Sequence, residues 1–306
     1  MSASAEKQGR SRASRGAVHG TVHGAAHGGA PVKYRRFDRW QRIEHALLLS
    51  SFTILSITGI PQKYAGSDWA GVMIALMGGI EVVRVIHRVS AFVLMFETIY
   101  HVAAVGYKIF VRRVEMTMLP GMKDAVDIVQ TLGYNFGLSK KAPQMGRFTF
   151  GEKLEYWAVI WGTVIMILTG FVLWNPIAVT HFLPGSWIPA AKAAHGGEAL
   201  LAVLSIVTWH LYNVHVKHFN KSMFTGEISH HEMEEEHGLE LAQIQAGLVR
   251  PAPDAETLRR RRAVFMPVAI LASVVLLAGL IFFVSFEKTA ITTIPRQNVE
   301  IVTPAP

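Results

Sequence analysis

The sequence predicts an all-α integral membrane protein, a four-helix bundle with a fifth transmembrane helix added to it. Three observations carry that prediction. Hydrophobic residues fill 51% of the 306 positions and charged residues only 17%, with a mean hydropathy of +0.30, a balance too apolar for a water-soluble chain of this size. The apolar residues arrive in five long blocks, and a hydrocarbon core of ~30 Å needs about 20 helical residues to cross it. Basic residues gather at alternating ends of those blocks, as the positive-inside rule requires of a multi-pass chain.

Taken in order, residues 1–34 are polar and Gly/Ala-rich without an apolar core, so a disordered tail is expected there and no cleavable signal peptide. The tail carries His19, His23 and His27 at every fourth position, but Gly20, Gly24 and Gly28 beside them argue against a rigid metal site. Residues 35–225 hold four spans, Arg42–Ile60, Val83–Val111, Lys153–Trp174 and Ala194–Val216. Between the first two, Trp69–Ile80 is short and contains glycine, which suits an interfacial or re-entrant segment. Residues 226–262 form a linker in which "ISHHEMEEEHGLE", with His230, His231, Glu235 and His237, reads as a charged, exposed helix before it reads as a metal site. The fifth span covers 263–286, and 287–306 form a terminal tail.

Orientation follows from the charges. Arg35, Arg36, Arg39 and Arg42 precede the first span, seven basic residues from Lys108 to Arg147 lie between the second and third, and Arg259–Arg262 precede the fifth. The segment 175–193 holds a single basic residue, Lys192. The N-terminus is therefore expected in the cytoplasm and the C-terminus outside. With no cysteine the chain can form no disulfide, bind no cluster through thiolates and attach no cofactor by thioether bonds. No nucleotide-binding glycine loop or nucleophilic triad is evident, and nothing points to nucleic acid.

An ungapped internal repeat underlies the bundle. "RIEHALLLSSFTILSITG" (42–59) lies over "KLEYWAVIWGTVIMILTG" (153–170), so that Arg42 matches Lys153, Glu44 matches Glu155 and Thr58-Gly59 matches Thr169-Gly170. Aligned in the same way, with its own offset, the second span sets His87 over His195, and His101 then falls within one residue of His210. Two helix pairs are repeated, which suggests pseudo-symmetry.

Histidines in lipid-spanning helices need a reason. His87 and His101 are fourteen residues apart, roughly 21 Å along a helix axis and within about 40° in rotation. His195 and His210 are fifteen apart, roughly 22 Å and about 60°. Each helix offers an imidazole at two matched depths, and a polar side chain in hydrocarbon is costly unless it has a function. Bis-histidine ligation of haem iron meets the pattern: a flat apolar macrocycle fits between helices, and neutral imidazole is a strong axial ligand. Two b-type haems stacked across the bilayer are expected, with Arg84 and Arg88 either pairing their propionates or anchoring the helix at the interface. The rival readings are a histidine-lined metal transporter and a non-redox membrane anchor.

The stretches "RWQRIEHALLLSSFTILSITG", "VIHRVSAFVLMFETIYH", "EKLEYWAVIWGTVIMILTGFVLW" and "HGGEALLAVLSIVTWHLYNVH" resemble the cytochrome b subunits of the formate dehydrogenase gamma type, over about Arg35–Leu241. The spacing in the second and fourth spans is also similar to the cytochrome b of bc-type complexes. The first resemblance implies a subunit of the bacterial inner membrane that anchors a periplasmic oxidoreductase. It implies electron exchange between quinone and a periplasmic or membrane redox subunit carrying c-type haem or iron-sulfur clusters. It implies His87 with His195 for an outer haem b and His45 with His210 for an inner one. The sequence departs from the family by also carrying His101 and His215. Distance from the basic anchors Lys108 and Lys217 favours His101 with His210 instead, since His45 and His215 lie close to Arg42 and Lys217. A third haem on the inner side would use all six histidines. His45 is matched in the repeat by Tyr156, and without an iron to bind it suits an inner quinone site, where a histidine can exchange a proton with quinone oxygen.

Overall fold

The computed structural model describes residues 22–23, 32–217, 219–248, 251 and 253–287. Most of the expected N-terminal tail, including His19 and His27, lies outside the described residues, as do residues 288–306 of the C-terminal tail.

Helix α1 (Arg39–Lys63) starts where Asp38 accepts from the Gln41 amide at 2.9 Å while the Gln41 side chain accepts from the Asp38 amide at 3.0 Å, a reciprocal cap that satisfies two otherwise orphaned donors. Helix α2 (Asp68–Leu76) covers most of the short apolar run and is too brief to cross a bilayer. Gly78 and Gly79, at φ 96° and 95°, turn the chain into α3 (Ile80–Gly106), which ends in a π turn over Tyr107–Val111. Helices α4 (Met122–Asn135), α5 (Phe150–Trp174) and the short α6 (Pro176–Val179) follow. Helix α7 (Trp187–Ser205) continues through π turns at Ile206–His210 and Tyr212–Lys217. The short α8 (Ser222–Thr225), α9 (His230–Glu236) and α10 (Gly238–Gln245) precede the last helix, α11 (Ala255–Val284). Strands β1 (Val22–His23), β2 (Lys33–Arg35) and β3 (Glu227–Ser229) form an antiparallel sheet in that order.

Five helices, α1, α3, α5, α7 and α11, are long and apolar enough to cross a membrane, and the protein is an all-α membrane protein. Its polarity is turned inside out. Between α1 and α3 the buried residues include Glu44, Ser51, Thr58, Ser90 and Glu97, whereas Leu49, Ile57, Val85, Val89, Trp161, Leu168 and Leu201 face outward. Only a hydrocarbon solvent makes such a surface favourable. Within the bundle α1 packs chiefly on α3 and α5 on α7, α7 also meets α1, and α11 lies against α3. The bundle of four with an added fifth helix is the arrangement expected from the sequence.

Helix α4 lies in the loop between the second and third spans and has no counterpart in the sequence reading. Its Asp124 carboxylate accepts from Lys153 at 2.8 Å, and Asp127 is buried with Lys123 bonded to it at 2.6 Å. Met122, Val126, Val129 and Phe136 face outward. Polar residues toward the protein and apolar residues away from it are what a helix lying in a membrane interface presents.

One end of the bundle is closed by a small polar cap. Tyr34 of β2, Ile228 of β3, Met233 of α9 and Leu241 of α10 form a buried apolar cluster, with Ile244 packed against it. Beneath it Arg36 is only 2% exposed and bonds Glu152 at 2.9 Å and Glu240 at 3.4 Å; Arg147 bonds Glu240 at 2.8 Å and the Arg36 carbonyl at 2.7 Å, and Arg36 donates to the Arg147 carbonyl. One buried and one half-buried guanidinium group are tolerable only because paired carboxylates and carbonyls offset their desolvation. The exposed helix expected at 230–237 is therefore only half correct. His231 faces solvent, but Met233 and His237 are buried, because α9 packs its inner face onto β2. His237 Nδ1 bonds the Gly146 carbonyl at 2.9 Å, and burial holds its imidazole below the ordinary value of 6.5.

Candidate functional site

The six span histidines fall into three different surroundings. His87 on α3 and His195 on α7 face one another with ring centroids 6.4 Å apart, toward the end of the bundle away from the cap. Their supports are duplicated. Thr58 Oγ1 lies 2.9 Å from His87 Nδ1, and Thr169 Oγ1 lies 2.8 Å from His195 Nδ1. Each hydroxyl spends its one proton on a carbonyl a turn earlier, Thr58 on Ile54 at 2.7 Å and Thr169 on Ile165 at 2.6 Å. The threonine oxygen can then only accept, so each histidine carries its proton on Nδ1 and leaves the Nε2 lone pair free. Glycines make the room: a Cβ on Gly59 would stand 3.0 Å from His87 Cε1, and one on Gly170 3.5 Å from His195 Cε1.

Nearer the cap, His45 on α1 and His210 on α7 face one another, again with centroids 6.4 Å apart. His210 Nδ1 bonds Glu155 Oε2 at 2.8 Å, which fixes the proton on Nδ1 and frees Nε2 toward His45. The extra residue in the His195–His210 spacing is absorbed by the π turn Ile206–His210, so both histidines keep the same inward face.

His101 does not face His210. Its Nδ1 lies 3.3 Å from Glu44 Oε2 and its Nε2 3.0 Å from the Tyr156 hydroxyl, so both ring nitrogens are engaged. This is the same arrangement seen through the pseudo-symmetry, with Glu44 standing for Glu155, His101 for His210 and Tyr156 for His45. The buried Glu97 carboxylate sits close enough to interact electrostatically with both His101 and Glu44. His215 packs on Phe219 with centroids 5.9 Å apart, its buried Nδ1 has no hydrogen-bond partner among the described residues, and it interacts electrostatically with His45. Arg84 and Arg88 both bond Glu287, just beyond the end of α11, at 2.6 Å, and Arg88 stacks on Trp174 at 4.9 Å. The two arginines hold the Glu287 carboxyl below its ordinary range, Arg88 by hydrogen bond being the strongest influence.

The two facing pairs can be tested against an iron. Metal–imidazole bonds of ~2.0–2.1 Å, with each nitrogen about 1.2 Å from its ring centre, require centroids about 6.4–6.6 Å apart across one metal. Both pairs match, and neutral imidazole with a free Nε2 is the donor this geometry needs. About thirteen helical residues, ~20 Å, separate His45 from the Thr58 that supports His87, so the two sites lie one above the other through the bundle.

The sequence reading gave no role to Thr58, Thr169, Gly59, Gly170 and Glu155, although every one of them stands in the aligned repeat. That identity at matching positions was the available signal. Glu97 was missed outright, though an acid within an apolar span is itself a signal.

Fold and site together define a five-span, all-α membrane protein with two inward histidine pairs stacked along the bundle. No family model matches the chain. It is similar to the cytochrome b556(fdo) subunit of formate dehydrogenase from Escherichia coli strain K12, with 21% identity over 186 residues, covering 58% of this chain and 76% of that one. It is also similar to the cytochrome b556(Fdn) subunit of the nitrate-inducible formate dehydrogenase from the same strain, with 20% identity over 186 residues, 60% of this chain and 79% of that one. The chain is thus distantly similar to membrane cytochrome b subunits of formate dehydrogenases.

Proposed function

We propose that this chain is a membrane cytochrome b subunit that carries electrons between a partner redox subunit and the quinone pool. His87 and His195 would hold one haem b, and His45 and His210 a second. The observation that carries this reading is the pair of facing imidazoles, twice at 6.4 Å, at least one of each pair with its proton fixed on Nδ1. Each haem would supply reversible one-electron carriage. The chain's own residues set the conditions. Thr58, Thr169 and Glu155 orient the imidazoles and raise their basicity, Gly59 and Gly170 leave space beside them, and outward aliphatic residues keep water away. His101 and His215 are not ligands in this reading, because His101 has both nitrogens committed and, among the described residues, neither stacks face to face with a second imidazole.

The capped end faces the cytoplasm in this reading, which the arginines before α1 and α11 and the basic α3–α5 loop support, and His45–His210 is then the inner site. The opposite end, with α2 and segment 175–186, docks the partner, a periplasmic or membrane subunit with c-type haem or iron-sulfur clusters. Residues 35–225 form the electron-carrying unit and α11 an added anchor.

Replacement of single ligands tests the assignment. His87→Ala or His195→Ala should each remove one b-type component and leave the other; retention of both components in both variants overturns the pairing. A colourless wild-type protein with metal-dependent flux would instead support a transporter.

A further inference from the structure

We infer that the cleft between the cap-end termini of α3 and α11 binds the phosphodiester of an anionic phospholipid. The cleft is a cavity of about 450 Å³ whose lining includes Arg112, Arg113, Arg261, Asp254 and Thr257. Among the described lining residues three arginines stand against one carboxylate. That carboxylate is committed as the N-cap of α11, accepting from the Thr257 amide at 2.8 Å and the Thr257 hydroxyl at 2.7 Å. No described carboxylate forms an ion pair with Arg113 or Arg261, whereas the neighbouring Arg260 is paired with Glu256 at 2.6 Å. A net positive, roomy cleft calls for an anion.

The backbone holds the arginines there. The π turn ending α3 leaves Arg113 at φ 52°, the one non-glycine residue in the left-handed region among those described. That conformation is unfavourable for a residue with a Cβ and persists only where its surroundings impose it. Arg261 reaches back to the Val111 carbonyl at 3.5 Å, which ties the start of α11 to the end of α3.

The neighbouring surface selects a lipid over a soluble anion. Just below the arginines, Phe265 of α11 packs against Phe110 and Tyr107 of α3 with centroids 6.2 and 6.1 Å apart. Phe110, Val264 and Val268 stay exposed beside that contact, an apolar track for acyl chains directly beneath a basic pocket. The α3 span ends at Val111 and the apolar run of α11 begins at Ala263, so the cavity sits at the depth of lipid phosphates.

The test uses the full chain, reconstituted in mixed phosphatidylglycerol and phosphatidylcholine vesicles, re-extracted in detergent, with lipid retained per chain measured by mass spectrometry. Wild type should retain phosphatidylglycerol in excess over phosphatidylcholine, and added inorganic phosphate should not displace it. Arg113→Gln with Arg261→Gln should cut the preference about thirtyfold, and Arg113→Gln alone, at an exposed position where the fold is safe, about fivefold. Arg259→Gln with Arg260→Gln removes the same charge outside the cavity and should retain the preference. Equal retention by the Arg113/Arg261 variant, release by phosphate, or equal loss in the Arg259/Arg260 variant overturns the inference. The readout is lipid and not colour, so it stands apart from the haem assignment.

Discussion

Replacing Thr58 by valine removes the oxygen that accepts from His87 Nδ1 and leaves a methyl group in nearly the same space. Because the Thr58 proton is spent on the Ile54 carbonyl, the lost bond is one in which imidazole is the donor. Donation from Nδ1–H makes the ring a stronger donor to iron and favours the oxidised state, so its removal should raise the midpoint potential of that haem. A neutral hydrogen bond has a net worth of about 0.5–1.5 kcal/mol, and ~59 mV corresponds to a tenfold change in a one-electron couple, so the rise should be about 20–65 mV. Thr169→Val should shift the same component by a similar amount, since Thr169 supports His195 with the same geometry. Thr98→Val is the control, because the Thr98 hydroxyl bonds only the Leu94 carbonyl at 2.8 Å, and it should shift nothing. The assay is a redox titration of the b-type absorbance of each variant. A fall in potential, or full haem retention with no shift in both variants, would refute the claim that these hydroxyls support histidines that would hold a haem.

Other consequences follow from the same geometry. His45→Ala should remove the haem nearer the cap while His101→Ala leaves both haems in place, as spectra of the two purified variants will show; loss of a haem from His101→Ala contradicts the pairing. Glu155→Gln replaces a charged acceptor of the His210 proton by a neutral one, so the potential of the cap-side haem should rise by more than in the threonine variants, as titrated in the same way. The buried His237 is held below its ordinary 6.5, so the unfolded cap binds more protons than the folded one between those two values. Cap stability is then complete above pH 6.5 and declines as pH falls through the folded value; the protection of the Lys33–Arg35 and Glu227–Ser229 amides relative to their intrinsic exchange rates should fall at mildly acid pH, and His237→Gln should abolish that dependence.

Spans were legible in the sequence because hydrocarbon imposes a length and a composition that no other environment does. The expected blocks and the helices agree, with ends displaced by up to eight residues, by three at the starts that Asp38 and Thr149 cap and by seven and eight at the starts of α7 and α11. The repeat was also legible, and its aligned residues perform matching tasks: Glu44 and Glu155 each hold a histidine, and Thr58 and Thr169 each hold another. What periodicity could not settle was which histidine His210 faces. Depth counted from basic anchors pointed to His101, but rotation places His101 against Glu44 and Tyr156, and a π turn resets the face of His210. The cap was hidden for a different reason. Its sheet joins segments almost two hundred residues apart, Lys33 with Ser229 and Arg35 with Glu227, through short strands with no alternating signal.

The central claim is that two facing imidazole pairs each hold one haem b. A pyridine haemochrome measurement on the purified full chain, with protein quantified in the same sample, tests it most directly. Two haems b per chain, falling to one in both His87→Ala and His45→Ala, is the predicted result. A chain without haem, or a wild-type stoichiometry of three with a loss in His101→Ala, would contradict it.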